Sequence, residues 1–285
     1  MSTTISTAFV SQFSANVQML SQQMGSLLRD SVATESVTGE KSFHDQVGSA
    51  AAVAKTSRHA DTPLMDTPHT RRMITMTEYE YADLIDDGDK VRMLIDPTST
   101  YAKAAAAAMG RAMDDSIIAA FGGTAQTGKD GGTSTALPSA QKIVHGSAGL
   151  TIAKLVSAKK ILDQGSVDPS IPRYIVVSPE QIEDLLNSTT VTSADFNTIK
   201  ALVQGEIDTF VGFKFIVSNR LTDDGTSRLC YAWAEDGCMM ATNKDVTARI
   251  EERADKSYAT QVYYCASFGA SRMEEAKVVE IACNE

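Results

Sequence analysis

The sequence predicts a mixed α+β fold, and three observations carry that expectation. Residues 173–186, RYIVVSPEQIEDLL, read as a short apolar strand stopped by Ser178-Pro179 and followed by a helix, because serine caps a helix and proline fits its first turn. Residues 96–121 read as a long helix: Asp96-Pro97-Thr98-Ser99 caps it, the run Ala104 to Ala108 favours it, Met109, Met113, Ile117 and Ile118 continue it, and Gly122-Gly123 ends it. The C-terminal part alternates instead, so residues 229–242, 246–253, 258–268 and 277–283 read as strands.

The remaining elements follow in chain order. Between residues 7 and 31 the side chains Phe9, Phe13, Val17, Leu20, Met24 and Leu27 recur every three or four positions, which is one face of a helix. That stripe is narrow, with Ser, Gln and Asn around it, so such a helix must pack on something beyond itself. Residues 39–77 are polar, with Gly48, Pro63, Pro68 and three of the chain's four histidines, and they sustain no period. A stretch of that length without its own helix is functional or disordered. Its candidate strands are residues 51–56 and 71–77. Residues 122–149 form a Gly/Ser/Thr-rich connection, and a helix at 152–164 leads through Pro169 and Pro172 to the strand at Tyr174. A further helix is expected within 188–204. After it comes the strand GEIDTF, and then residues 211–217 alternate around Gly212 as a half-buried strand ended at Asn219.

Composition narrows the function. The 285 residues carry a formal net charge of −10, with 43% of them apolar, enough for a core. An acidic balance argues against gripping nucleic acid, which needs clustered Lys and Arg. Cys230, Cys238, Cys265 and Cys283 contain no C-x-x-C pair, which disfavours a zinc or thioredoxin-like centre and leaves reduced, partly buried thiols. No apolar run is long enough to span a bilayer, and no charged segment precedes an apolar core near the start.

Four motifs invite chemical readings. GTAQTGKD at 123–130 matches the glycine and lysine spacing of a P-loop, but Asp130 stands where a Ser or Thr must reach Mg²⁺, and the motif follows a helix rather than a strand. A loop is expected there. His145-Gly-Ser147-Ala-Gly149 approaches a nucleophile elbow, yet His145 replaces the first glycine and is the last histidine, so no acid-then-histidine order can follow Ser147. His59, Asp61, Asp66 and His69 share one Pro-containing loop and read as solvated side chains rather than metal ligands. Asp83, Asp86, Asp87 and Asp89 lack the calcium-loop spacing. The reading therefore assigns no catalytic residue, no metal ligand and no cofactor.

The pairing of YIVVSPEQIEDLL with GEIDTFVGFKFIVSNRL resembles the strand-helix and strand segments of tailed-phage major capsid proteins with the HK97-like coat fold. The resemblance extends through the order of elements to AKVVEIAC at 276–283. It implies an N-terminal arm (1–38), an E-loop (39–80), a P-domain with a spine helix (81–150), an A-domain (151–254) and a return to the P-domain (255–285). It implies a coat subunit that assembles with itself, as hexamers and pentamers, into an icosahedral shell around double-stranded DNA, without reading the DNA sequence. Portal, scaffold and decoration proteins are the implied partners, and the bacterial host cytoplasm the implied place of assembly. Phe9, Phe13, Val17, Leu20, Met24 and Leu27 become the arm's contacts with neighbours, so deletion of residues 1–31 is expected to leave a folded subunit that fails to make stable shells. Some relatives join subunits through an E-loop lysine. Lys55 lies in the matching loop, but no asparagine matches the acceptor, and no cross-link is expected. The alternatives are an encapsulin-like nanocompartment shell and a cytosolic enzyme holding a phosphate ligand at 123–129.

Overall fold

The computed structural model describes residues 21–59, 61–62, 64–85, 98–187 and 209–285. In chain order the strands are β1 (Ala33–Ser36), β2 (Lys41–Val47), β3 (His69–Thr75), β4 (Thr77–Ile85), β5 (Ala125–Thr127), β6 (Thr133–Thr135), β7 (Lys142–Ile143), β8 (Arg173–Val177), β9 (Thr209–Phe210), β10 (Phe213–Val217), β11 (Ser227–Ala234), β12 (Cys238–Arg253), β13 (Ala259–Arg272) and β14 (Val278–Asn284). The described helices are α1 (Thr98–Gly122), α2 (Ile152–Gln164) and α3 (Pro179–Asn187).

Two compact units divide the chain. The larger comprises residues 27–77, 113–243 and 268–285. The smaller takes its described residues from 21–26, 78–85, 98–112 and 244–267.

In the larger unit six strands lie in the order β7-β14-β11-β8-β10-β9. Strand β8, RYIVV, pairs parallel with β10 and antiparallel with β11, and all but one of its residues are buried. Strand β14, VVEIACN, is similarly buried along most of its length between β7 and β11. Near-continuous apolar runs of this kind belong to strands covered on both faces. Helix α2 is capped by Thr151, whose hydroxyl accepts from the Lys154 N–H at 3.3 Å. Its Lys154 side chain is buried and donates to the carbonyls of Ala148 (2.7 Å), Gly149 (2.9 Å) and Ala282 (3.0 Å). Burial lowers that ammonium's pKa. Helix α3 begins where the sequence places it, with the Ser178 hydroxyl accepting from the Gln181 N–H.

Trp233 on β11 centres the core. It is fully buried, its ring 4.4 Å from Phe121 and 6.0 Å from Tyr174, and its indole N–H donates to the Ser31 carbonyl at 2.8 Å. A second sheet of the same unit runs β2-β3-β5-β6. Strand β1 lies parallel on the first residues of β12, from Ala33 opposite Met239 to Ser36 opposite Thr242. In the smaller unit β12 and β13 continue as neighbours, with β4 beside β13.

Several expectations need correction. Residues 21–28 are not helical: Gly25 takes φ +75, and the N–H groups of Leu27 and Leu28 donate to the Asp114 carboxylate, at 3.1 Å each, instead of to a helical carbonyl. The expected strand at 51–56 is absent. The partner of β3 is β2, from Lys41 opposite Thr75 to Val47 opposite His69. The expected strand at 229–242 is broken by a 3₁₀ turn at Glu235–Gly237, after which β12 runs unbroken where two strands were expected. The connection 122–149 contains β5, β6 and β7. The expected helix within 188–204, residues 205–208 and the Asp96-Pro97 cap lie outside the described residues.

The segment around Gly212 is also a correction. It is a hairpin with Val211 (φ +54) and Gly212 (φ +85) as its two central residues, joining β9 to β10. Two-residue hairpins of this twist want positive φ at both positions, which suits Asn-Gly and strains a β-branched side chain. Val211→Asn is therefore expected to raise stability by about 1 kcal/mol. Thermal melts of the two proteins check this, and an unchanged or lower midpoint refutes the strain.

Candidate functional site

The described chemistry gathers where β3 meets the β5–β6 hairpin, all within the larger unit. Arg71 and Arg72 are neighbours on β3, so their side chains leave opposite faces of the strand. Arg71 forks onto the Asp45 carboxylate, stands over the Phe43 ring at 5.6 Å and donates to the Lys129 carbonyl at 3.3 Å. The guanidinium holds the Asp45 carboxyl below its usual range. A cleft of about 690 Å³ opens here, lined among others by Asp45, His69, Arg71, Arg72 and Lys129.

Arg72, which lines it, also belongs to an Arg-Glu-Arg cluster. Arg72, buried, donates to Glu275 at 2.6 Å, and Arg272, fully buried, stands 3.7 Å from the same carboxylate. Arg272 also donates to the carbonyls of Phe121 and Gly123 at 2.8 Å and of Thr135 at 3.0 Å. It thereby satisfies the end of α1 and fastens the hairpin to it. Nε and Nη1 of Arg72 and Nε of Arg272 are buried without a hydrogen-bond partner.

Two smaller networks complete the polar inventory. His44 Nε2 lies 3.0 Å from the Ser42 hydroxyl and its Nδ1 3.3 Å from Glu35, which ties β2 to β1. Burial pushes the Glu285 carboxyl up, but Arg228, Ser178 and Gln181 outweigh it, and the net effect is downward. Those three donate to it at 2.8, 2.7 and 3.1 Å.

The motifs singled out in the sequence resolve as follows. GTAQTGKD contains β5 and then the hairpin turn, with Gly128 at φ +90 and Gly131 at φ +72, and no helix follows it to receive a phosphate. Ser147 sits in a tight turn with Gly146, both at positive φ, and its N–H donates to His145 Nδ1 at 3.0 Å. The Ala148 and Gly149 carbonyls of that segment serve Lys154. His59, Asp61 and Asp66 are exposed, His69 starts β3, and no group of three His, Cys, Asp or Glu among the described residues is placed to hold a metal. Asp83 lies on β4, while Asp86, Asp87 and Asp89 lie outside the described residues. All four thiols are free and buried, and burial pushes Cys238 up to about 12.

Of the expected arm contacts, Phe9, Phe13, Val17 and Leu20 lie outside the described residues, and Met24 and Leu27 are exposed. Leu28, absent from that stripe, is fully buried, and Ser31 accepts from Trp233. Lys55 sits in the exposed segment 48–59. The cleft was not anticipated. Its one sequence signal was the basic pair Arg71-Arg72, which says nothing of Lys129 until β3 pairs with β5 at Arg72–Thr127.

The sequence matches the model of the phage capsid protein family over residues 5–285. The chain belongs to that family. Among curated proteins, none matches its sequence. The capsid of Cyanophage P-SCSP1u is similar in structure, at 16% identity and TM-score 0.74, over 99% of this chain and 94% of that one. The Cyanophage Pam1 capsid aligns at 13% identity and TM-score 0.73, over 98% and 97%. A structure from Mycobacterium phage Che8 does so at 18% and 0.68, over 96% and 97%. The fold of this phage coat protein is HK97-like, as the sequence suggested, and the family is a structural one that forms the virion shell. No described helix of the coat protein is long and apolar enough to cross a membrane.

Proposed function

We propose that this coat protein builds the icosahedral shell of a tailed bacteriophage around double-stranded DNA, as hexamers and pentamers of one chain. The observation that carries the proposal is the match of nearly the whole chain to the capsid family, together with a fold shared end to end with solved phage capsids. In this reading residues 1–38 are the arm, 39–80 the E-loop, 81–150 and 255–285 the P-domain, and 151–254 the A-domain. Exposed Val47, Val53, Leu64 and Met65 support an E-loop that finds its cover on a neighbour, since such side chains gain by leaving water. Portal, scaffold and decoration proteins are the further partners, with assembly in the host cytoplasm.

Phe9, Phe13, Val17, Leu20, Met24 and Leu27 act as arm contacts. The buried Leu28 and the Ser31 carbonyl set where a truncation must stop, because a cut at residue 31 removes part of the larger unit. Deleting residues 1–20 is expected to leave the unfolding midpoint within a few degrees of the intact chain while lowering the yield of closed shells at least tenfold. Electron microscopy with light-scattering mass reads both proteins. Normal shells from the truncated chain would sink the arm assignment, and an intact chain that stays monomeric would sink the coat proposal.

A further inference from the structure

We infer that the cleft between β3 and the β5–β6 hairpin is a docking groove for a carboxylate-bearing segment of a second copy of this chain. The inference rests on the coat reading, and size is the first support. About 690 Å³ holds several side chains and far exceeds one inorganic anion.

Charge is the second support. Arg71, Arg72 and Lys129 line the cleft against Asp45, and because the Arg71–Asp45 fork cancels one charge of each sign the surplus rests on Arg72 and Lys129, with Asp130 beside Lys129 at the exposed tip. Arg72, which lines the cleft, shares the single carboxylate of Glu275 with Arg272, which leaves one positive charge in excess and three buried guanidinium nitrogens, together with Glu275 Oε1, without hydrogen-bond partners. A buried charge in that condition is costly, and a carboxylate placed above it lowers the cost.

The third support is the chain itself. With 36 acidic against 26 basic residues, every copy is a source of carboxylates, and a shell brings copies together at high local concentration. Arg71 also ties β3 to the hairpin through the Lys129 carbonyl, which fixes the two walls of the groove relative to each other.

The test uses shells assembled from equal amounts of ¹⁴N- and ¹⁵N-labelled full-length chain, treated with a carbodiimide that joins amines to carboxylates at zero length. The expected result is a Lys129 cross-link to an Asp or Glu peptide of the opposite label. In parallel, Lys129→Glu, at an exposed position, is expected to fold with an unchanged midpoint and to assemble at least tenfold less at low salt, with Lys129→Arg restoring assembly. Three outcomes overturn the inference: shells whose Lys129 cross-links are all within one copy, normal assembly of Lys129→Glu, or protection of Lys129 only when DNA is added, which assigns the groove to phosphate. Those outcomes leave the coat reading standing. A wild-type chain that never forms shells removes both.

Discussion

Arg272→Ala is expected to destabilise the larger unit by about 3–5 kcal/mol, read as the shift in urea midpoint followed by Trp233 fluorescence. Arg272 is fully buried, and its guanidinium donates to the carbonyls of Phe121, Gly123 and Thr135. Orphaning a buried carbonyl such as that of Phe121 costs about 1–3 kcal/mol, the part-buried carbonyls of Gly123 and Thr135 cost less, and relief of the excess charge shared with Arg72 and Glu275 returns part of it. Arg272→Met separates the causes. It fills most of the volume but donates nothing, so it should be nearly as damaging as alanine. Wild-type stability in the Met variant would show that packing, not hydrogen bonding, is what Arg272 supplies.

Trp233→Ala comes next, at about 3–5 kcal/mol for a large buried aromatic. The ring packs between Phe121 of α1 and Tyr174 of β8, and its N–H is taken by the Ser31 carbonyl. Trp233→Phe keeps the stacking and loses the hydrogen bond, so it should cost about 1–2 kcal/mol. Circular dichroism must follow both, because Trp233 is the chain's one tryptophan. Equal losses in the two variants would mean that the Ser31 bond, rather than ring packing, dominates.

How much of this was legible depended on whether apolarity tracked burial. Helix α2 was expected at 152–164 and lies there, since Thr151 caps it and Leu155, Ala158 and Leu162 are its buried face. The step from β8 to α3 was equally plain, because Ser178-Pro179 carries its own physical reason to turn. Strand β2 was missed for the opposite reason. In KSFHDQV the apolar Phe43 and Val47 are exposed, while Ser42, His44 and Gln46 are half-buried, so the alternation is inverted. The hairpin at Val211-Gly212 was hidden by a valine in a conformation valines avoid. The candidate site was least legible of all. Arg72, Lys129, Arg272 and Glu275 are scattered over 204 positions and meet only through strand pairing, and nothing local marks Arg272 at the end of β13 as the residue that closes α1.

Strand β14 has a bearing on the order of events during synthesis. It fills the place between β7 and β11, with Trp233 opposite Val278 and Ser227 opposite Asn284. The six-stranded sheet thus stays split until translation has passed residue 284 and the exit tunnel has released those residues. A nascent chain halted at residue 277 leaves β11 with an open row of N–H and C=O groups. A chain stopped short of β14 therefore has no finished sheet.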